Sequence, residues 1–232
     1  MHDPSRLAAE HTEYLTAQLA DSGPSEPFAL CDAWLDEAFT RRAEHSDMPE
    51  PSAVVLSTVE IEADGTPQPR SRTVLLKGRD QAGFVFYTNY DSAKGDELLR
   101  TPRAALLLPW YSLQRQLRIE GGVEQLTAVE SDAYFASRPR GSRIGAWASD
   151  QSRPAESRAQ LEQQYAQYQE QFEDGEVPRP PHWGGFRVVP QRIEFWQGRE
   201  NRMHDRIEYR RPRPTGEGDA EGLVWQRRRL QP

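Results

Sequence analysis

Twelve consecutive residues, Phe195-Trp196-Gln197-Gly198-Arg199-Glu200-Asn201-Arg202-Met203-His204-Asp205-Arg206, bring together a flat aromatic, three guanidiniums, two carboxylates and one imidazole. Arg202, His204 and Arg206 are spaced two apart, and on an extended strand side chains at that spacing leave the same face of the sheet. Arg, His and Arg together are poor core material. They make either a solvated strand face or a wall able to bind an anion and handle a proton.

Other sets have the chemistry to hold phosphate. Arg72 and Lys77 bracket the run Arg72-Thr73-Val74-Leu75-Leu76-Lys77, and their odd separation puts them on opposite faces of a strand, so that one strand can serve two anions. Tyr134 and Arg138 lie four apart and share a face if the segment is helical, with Ser142 just beyond. A guanidinium flanked by hydroxyls is a phosphate clamp, the Arg supplying charge and fork geometry and the hydroxyls completing the oxygens. The plainer alternative for each set is an ordinary surface strand or helix. One compositional bias adds weight: among 29 basic residues, lysine occurs only at Lys77 and Lys94. In a chain so committed to arginine, those two compact ammonium groups mark positions of interest.

Several common site types lack their signatures. Gly216-Glu217-Gly218 lies in a loop and is no strand-to-helix phosphate turn. His2, His11, His45, His182 and His204 are scattered, and no His and Cys cluster has metal spacing. No serine occupies a strained nucleophile elbow. A bound phosphate is therefore held mainly by side chains.

The elements that must position these groups follow from periodicity. Residues 6 to 21 have weak helical patterning through Leu7, Tyr14, Leu15 and Leu19. A second helix begins near Pro27, with the stripe Phe28, Cys31, Leu35 and Phe39 and with Trp34 and Ala38 beside it. From Ala53 the pattern becomes β: Ala53 to Val59, a hairpin at Asp64-Gly65, a return over Arg70 to Lys77, a turn at Asp80 to Gly83, then Phe84 to Thr88. Asp91 or Ser92 caps a short helix through Leu99, before strands at Ala104 to Trp110 and Gln116 to Gln125. Thr127-Ala128-Val129-Glu130 is a capping box for a helix that runs to about Ser137 and stops at Pro139. Ser152 and Pro154 open the longest helix, Ala155 to Glu173, with Leu161, Tyr165, Tyr168 and Phe172 as its stripe. A proline-rich connection leads to strands at Phe186 to Trp196 and Arg202 to Arg210, and Arg211 to Glu221 reads as an exposed loop. Short connections between strands point to a mainly β, α+β fold: an antiparallel meander or Greek-key barrel with peripheral helices. The organisation is one domain, with residues 1–50 as an N-terminal helical arm and 51–232 as the barrel portion.

Bulk properties bound the function. A chain of 232 residues buries a real core. Its net charge of −7 argues against a general nucleic-acid binder. The absence of a membrane-length apolar run, and of a basic-then-apolar N-terminus, predicts a cytoplasmic protein that does not engage membranes. The single cysteine, Cys31, has no partner for an internal disulfide.

Taken together, Arg72 to Lys77, Phe86-Tyr87-Thr88-Asn89, Arg115-Gln116, Tyr134 to Pro139, Ile144-Gly145-Ala146-Trp147, Gln151-Ser152, Trp183-Gly184-Gly185 and Phe195 to Gly198 with Arg202 to Arg206 resemble the pyridoxamine 5′-phosphate oxidase family. The likeness runs from about Ala53 to Pro232. It implies a homodimer of split β-barrels with FMN at the subunit interface, and a pyridoxine or pyridoxamine phosphate stacked on the flavin. By motif position, Arg72, Thr73, Val74, Leu75, Leu76, Lys77, Tyr87, Thr88, Lys94, Gln116, Gln151, Ser152, Trp196 and Arg206 are implied to contact FMN. Lys77, Tyr134, Arg138 and Ser142 are implied to hold the substrate phosphate, with Arg202, Met203 and His204 over the substrate ring and Arg202 and His204 as the catalytic pair. The activity implied is oxidation of the phosphorylated vitamer to pyridoxal 5′-phosphate by O2.

The chain departs from the family pattern in three places. Ser92-Ala93-Lys94 stands where Ser-Arg-Lys is usual in the family, so Ala93 in place of the Arg removes one implied contact to the cofactor phosphate. His11-Thr12-Glu13-Tyr14 lacks the arginine that often covers the substrate. The Glu60 to Pro69 hairpin is long, as a surface insertion would be. Two other readings stay open: a related split-barrel flavin oxidase of the phenazine-pathway type, and a non-catalytic flavin- or pyridoxal-phosphate-binding module. Lys77, Tyr134, Arg138 and Ser142 discriminate against the first, because a substrate without phosphate has no use for them. Arg202 and His204 argue against the second.

Overall fold

A computed structural model describes residues 18–212 and 224–232. The expected helix over residues 6 to 21 falls mainly outside them, as does most of the expected Arg211 to Glu221 loop. The described residues form two compact units: a middle unit of Ser52–Leu107 and Ile119–Gln191, and a terminal unit of residues 18–51, 108–118, 192–212 and 224–232. Among the described residues there are nine strands and five α-helices, so the expected mainly β fold with helical additions is what the chain adopts. No described helix is long and apolar enough to cross a membrane.

In the middle unit, β1 (Ala53–Ile61) and β2 (Pro67–Leu75) form an antiparallel hairpin from Ala53↔Leu75 to Ile61↔Pro67. Gly65 at its tip has φ +87°, the left-handed conformation that Asp-Gly hairpins favour. Val54, Leu56 and Thr58 are buried while their neighbours are half-buried, the period of two expected of a strand with one face on the core. β2 ends at Leu75, so Lys77 lies just past the strand that was expected to contain it. The remaining strands are β3 (Gly78–Arg79), β4 (Phe84–Asn89), β5 (Arg103–Trp110), β6 (Arg115–Gln125) and β7 (Trp183–Gln197), giving the order β2-β1-β5-β6-β7-β4-β3. Asp80 builds the turn before β4 by accepting from the Ala82 and Gly83 amides at 2.8 and 2.9 Å.

α1 (Phe28–Glu44) belongs to the terminal unit, and four helices belong to this one. α2 (Ala93–Arg100) is capped by the Ser92 hydroxyl, which accepts from the Gly95 amide. α3 (Ala128–Ser137) starts in the expected capping box: Thr127 accepts from the Glu130 amide, and Glu130 reaches back to the Thr127 amide. These contacts, with Arg187, push the Glu130 carboxyl down to about 2, the Thr127 hydroxyl being the largest cause. α4 (Arg140–Ala148) was not expected. It follows Pro139 directly, has no side-chain cap and buries only Ile144, so it offers almost no periodic signal. α5 (Arg158–Gln171) is capped by Ser157, not opened at Ser152, and buries none of its residues. Of its expected stripe, Leu161 is 41% exposed, whereas Tyr165, Tyr168 and Phe172 pack on a small core of Phe135, Ile144, Val177 and Trp183. A helix lying on a satellite cluster needs only one edge of its stripe.

The terminal unit is built on α1 (Phe28–Glu44), with Pro27 at the N-cap. Its buried residues are Phe28, Cys31, Trp34 and Ala38, while Leu35 is half-buried and Phe39 is 46% exposed. The packed stripe is thus rotated from the expected one toward Trp34, whose ring meets Trp110 and Phe195 edge-on at 6.4 and 5.1 Å. The end of β7 pairs with β8 (Asp205–Arg210), and β8 with β9 (Gln226–Arg229), a strand the sequence patterning did not indicate.

Candidate functional site

The middle unit holds a cavity of about 670 Å³. Thr73, Val74 and Leu75 reach it from the end of β2, Lys77 from the segment beyond, and Tyr87 and Thr88 from β4. Tyr134 and Arg138 come from α3 and its C-cap, Ser142 from α4, Lys94 from α2, and Gln151 from the loop after α4. Both lysines of the chain therefore line one cavity.

Arg138 sits with its guanidinium carbon 4.6 Å from the centroid of the Trp183 ring and 5.5 Å from that of Phe135. Its Nη1 is buried with no hydrogen-bond partner. An unpaired buried guanidinium nitrogen is costly, and an anion in the cavity is the natural group to satisfy it. Burial pushes the pKa of Arg138 down from the ordinary arginine value. Beside it, Tyr134 stacks on Tyr87 at 3.9 Å, and Tyr87 on Trp183 at 5.4 Å. Burial raises the pKa of both phenols, so they remain protonated donors at neutral pH. A Cβ at Gly185 would come within 2.9 Å of the Tyr87 ring and 2.5 Å of Leu126, so this wall closes only over a glycine.

Lys94 is the second cationic feature. Its ammonium donates to Gln151 Oε1 at 2.6 Å, Thr88 Oγ1 at 3.1 Å and Ser92 Oγ at 3.2 Å, which fixes it without a carboxylate partner. Burial, and then the positive charge of Arg72, lower its pKa to about 8.

Arg72 lines a second cavity of the same unit, about 450 Å³, together with Ala93, Glu97, Arg100, Ser152 and Arg153. Arg72 and Lys77 open on different cavities, but Lys77 lies beyond the end of β2, so the two do not sit on opposite faces of one strand as expected. Leu76 is buried, donates its amide to Ser52 O at 2.9 Å, and lines neither cavity.

In the terminal unit, Trp196 and Arg206 are direct partners across the β7–β8 pair. Arg206 Nε donates to Glu194 Oε1 at 2.8 Å. Glu194 and Glu208 are also opposite one another and each is only 1% exposed, an arrangement that like charges resist. Arg192 bridges them, with Arg118, Arg206 and Arg228 completing the neutralisation. Gln116 is half-buried on β6.

Arg202 is not on a strand. It closes a 3-10 turn, Glu200–Arg202, in which Asn201 and Arg202 have φ of +54° and +60°, and β8 begins only at Asp205. The expected shared strand face of Arg202, His204 and Arg206 is therefore corrected: only Arg206 is in the sheet. The turn is tied by the Arg199 amide, which donates to His204 Nδ1 at 3.1 Å. That bond leaves the proton of the neutral imidazole on Nε2. Burial and the nearby Arg202 charge lower the His204 pKa, favouring this neutral form. The ring lies 4.6 Å from Trp196, while Met203 is 65% exposed.

Comparison with known proteins decides the family. Residues 42–172 match the family described as pyridoxamine 5′-phosphate oxidase, and residues 183–232 match the pyridoxine 5′-phosphate oxidase C-terminal dimerisation region. A pyridoxine/pyridoxamine 5′-phosphate oxidase of Rubrobacter xylanophilus is 51% identical over 97% of this chain and 96% of its own. One from Bordetella petrii is 54% identical over 86% and 89%. The chain belongs to the pyridoxamine 5′-phosphate oxidase family. Among solved structures, PhzG from Burkholderia lata, in complex with tetrahydrophenazine-1-carboxylic acid, superposes with a TM-score of 0.78 at 31% identity, covering 91% of this chain and 95% of PhzG. A pyridoxamine 5′-phosphate oxidase-related, FMN-binding protein of Nostoc punctiforme, at 16% identity and TM-score 0.64, shares the fold. The fold is thus the split β-barrel class that the motifs implied.

For this member of the oxidase family, the residues expected around the substrate phosphate, Lys77, Tyr134, Arg138 and Ser142, converge on one cavity. Of the expected cofactor set, Thr73, Val74, Leu75, Lys77, Tyr87, Thr88, Lys94 and Gln151 line that cavity, and Arg72 and Ser152 the second one. Gln116, Trp196, Arg202, Met203, His204 and Arg206 belong to the terminal unit. Residue-level reading missed Gly145, Ala146 and Ser149 as lining residues, because α4 itself was missed. It also missed Glu97, a charged residue on a short helix whose burial no local pattern announces.

Proposed function

We propose that this protein is an FMN-dependent oxidase that converts pyridoxamine 5′-phosphate and pyridoxine 5′-phosphate to pyridoxal 5′-phosphate. O2 is the electron acceptor and leaves as H2O2; the amine substrate also consumes water and releases ammonia. The observation that carries the reading is the buried, unpartnered Nη1 of Arg138 in a cavity shared with Lys77, Tyr134 and Ser142. Two cations and two hydroxyls in one concavity suit a phosphate monoester, and a substrate without phosphate leaves them unsatisfied.

The donor set also fits FMN. Lys94, Thr88 and Gln151 offer a cation and polar groups for a phosphate and a polar tail, and Thr73, Val74 and Leu75 line the same cavity. When bound, FMN supplies hydride acceptance from the substrate carbon and reoxidation by oxygen. The protein's task is alignment. Lys77, Tyr134, Arg138 and Ser142 anchor the phosphate, which fixes how far the reacting carbon reaches. Arg202 places positive charge at the substrate ring, and His204 offers a hydrogen bond from Nε2–H. Trp196, Arg206 and Gln116 complete the cofactor site in a homodimer, a role consistent with the match of residues 183–232 to a dimerisation region.

The likeness to PhzG favours a second reading, a flavin oxidase acting on a phenazine precursor. The phosphate-binding set argues for the first. The deciding experiment purifies the protein, looks for the yellow of bound FMN, and measures pyridoxal 5′-phosphate formed from pyridoxamine 5′-phosphate under air. Product is expected; bound flavin without product on the phosphorylated vitamers would overturn the assignment.

A further inference from the structure

We propose that Glu97 is a positioning residue for the cofactor phosphate: it ties the Arg72 guanidinium to α2, the helix that carries Lys94, so that the two cations face an anion as one receptor. The inference rests on the reading that the protein binds FMN through Arg72 and Lys94.

Glu97 is 6% exposed. A carboxylate so buried is tolerated only when paired and hydrogen-bonded. Its Oε2 accepts from Arg72 Nη2 at 2.7 Å and from the Thr58 hydroxyl, and Arg72 Nη1 donates to that same hydroxyl. The three groups form a closed triangle. Thr58 is itself 2% exposed on β1, so the triangle is anchored to the sheet on one side and the helix on the other. These bonds use two of the five N–H groups of the guanidinium and leave the others for a ligand.

The helix is held just as firmly. A Cβ at Gly95 would lie 2.0 Å from the Tyr90 carbonyl oxygen, so the first turn of α2 rests directly on backbone. Lys94 and Glu97 are three apart and share a helix face. Ala93 and Lys94 are consecutive, as are Gln151 and Ser152; in each pair one residue lines the first cavity and the other the second. The two cavities therefore adjoin at the start of α2, with Lys94 on one side and Arg72 on the other. Two cations presented to one place repel until an anion arrives. The Lys94 pKa feels both Arg72, which lowers it, and Glu97, which raises it. Glu97 lines the second cavity beside Arg72, but its carboxylate is engaged by Arg72 and Thr58 and is not a partner for an anion. Its contribution is to hold Arg72 in register and to offset the repulsion while the site waits for its anion.

The test titrates flavin-free full-length protein with FMN, following quenching of flavin fluorescence, for wild type, Glu97→Gln, Arg72→Ala and the double variant. We expect Glu97→Gln to weaken FMN binding about tenfold or more, and to change it less than about twofold once Arg72 is already alanine. Equal weakening in both backgrounds, or a lowered melting temperature with unchanged FMN affinity, would show a merely structural carboxylate and overturn the proposal. If Glu97→Gln fails to fold, Thr58→Val removes the other member of the triangle and is expected to weaken FMN binding in the same direction; unchanged affinity there overturns it equally. A wild-type protein that does not bind FMN at all defeats the functional reading itself, an outcome distinct from wild-type binding that the variants leave unaltered.

Discussion

Arg138 lies over Trp183, its guanidinium carbon 4.6 Å from the ring centroid, with Nη1 buried and unpartnered beside the cavity. A cation held against an indole face is oriented without being neutralised. Charge-assisted hydrogen bonds are worth roughly 1.5–3 kcal/mol, so Arg138→Ala is expected to lower kcat/KM for pyridoxamine 5′-phosphate by about 10- to 150-fold. Activity on unphosphorylated pyridoxamine should change far less. Steady-state kinetics on both substrates checks this, and an equal loss on both would separate Arg138 from phosphate recognition.

Lys94 supplies a pH dependence. Its pKa in the ligand-free protein is lowered from 10.5 to about 8, with burial the main cause. Below about pH 8 it is already charged and ready for a phosphate. Above that, binding must take up a proton, so FMN affinity should fall as pH rises, by up to about tenfold per unit until the pKa of the complex is reached. The folding term has the opposite sign: the folded chain binds fewer protons than the unfolded chain between about 8 and 10.5, so this group adds stability as pH rises through that window. FMN titrations at pH 7, 8 and 9 with wild type and Lys94→Met test the first point, since the methionine variant should lose the slope.

His204 accepts from the Arg199 amide at Nδ1 and so offers a donor at Nε2. Glutamine can place an N–H near the Nε2 position, whereas asparagine reaches only the Nδ1 position. His204→Gln is accordingly expected to keep more activity than His204→Asn, and if the imidazole titration shapes kcat in wild type, that limb of the pH profile should vanish in both. Glutamine and asparagine variants of equal activity would contradict a donor role at Nε2.

The capping box fixes the start of α3, the helix that carries Tyr134 and ends at Arg138, and it bears on stability. Thr127→Ala should cost about 1 kcal/mol, a melting shift of roughly 2–4 °C in a chain of this size. Glu130, lowered to about 2 chiefly by Thr127, stabilises the folded state fully above its ordinary pKa near 4.5 and loses that contribution as pH falls through about 2. Melting curves of wild type and variant should therefore draw closer in acid, where the Thr127 cap of the Glu130 amide remains, and separate further at neutral pH.

Much of this protein could be read locally. The Asp64-Gly65 hairpin, the Thr127–Glu130 box, the Ser92 cap and the strand beginning at Ala53 depend on interactions within a few residues, and each occurs where expected. The two lysines that composition singled out both line one cavity. Other features needed the folded chain. The α4 helix escaped notice because glycines and a single buried side chain give no period. The Arg202-His204-Arg206 alternation suggested a strand face, but left-handed Asn201 and Arg202 turn the chain before β8 begins. The triangle of Thr58, Arg72 and Glu97 joins a strand, its hairpin partner and a helix. The sequence by itself determined the family, the strand and helix starts and the chemical types available to the site. Tertiary structure alone decided which of those groups meet, because burial and pairing are set by contacts between residues far apart along the chain, and no local period encodes them.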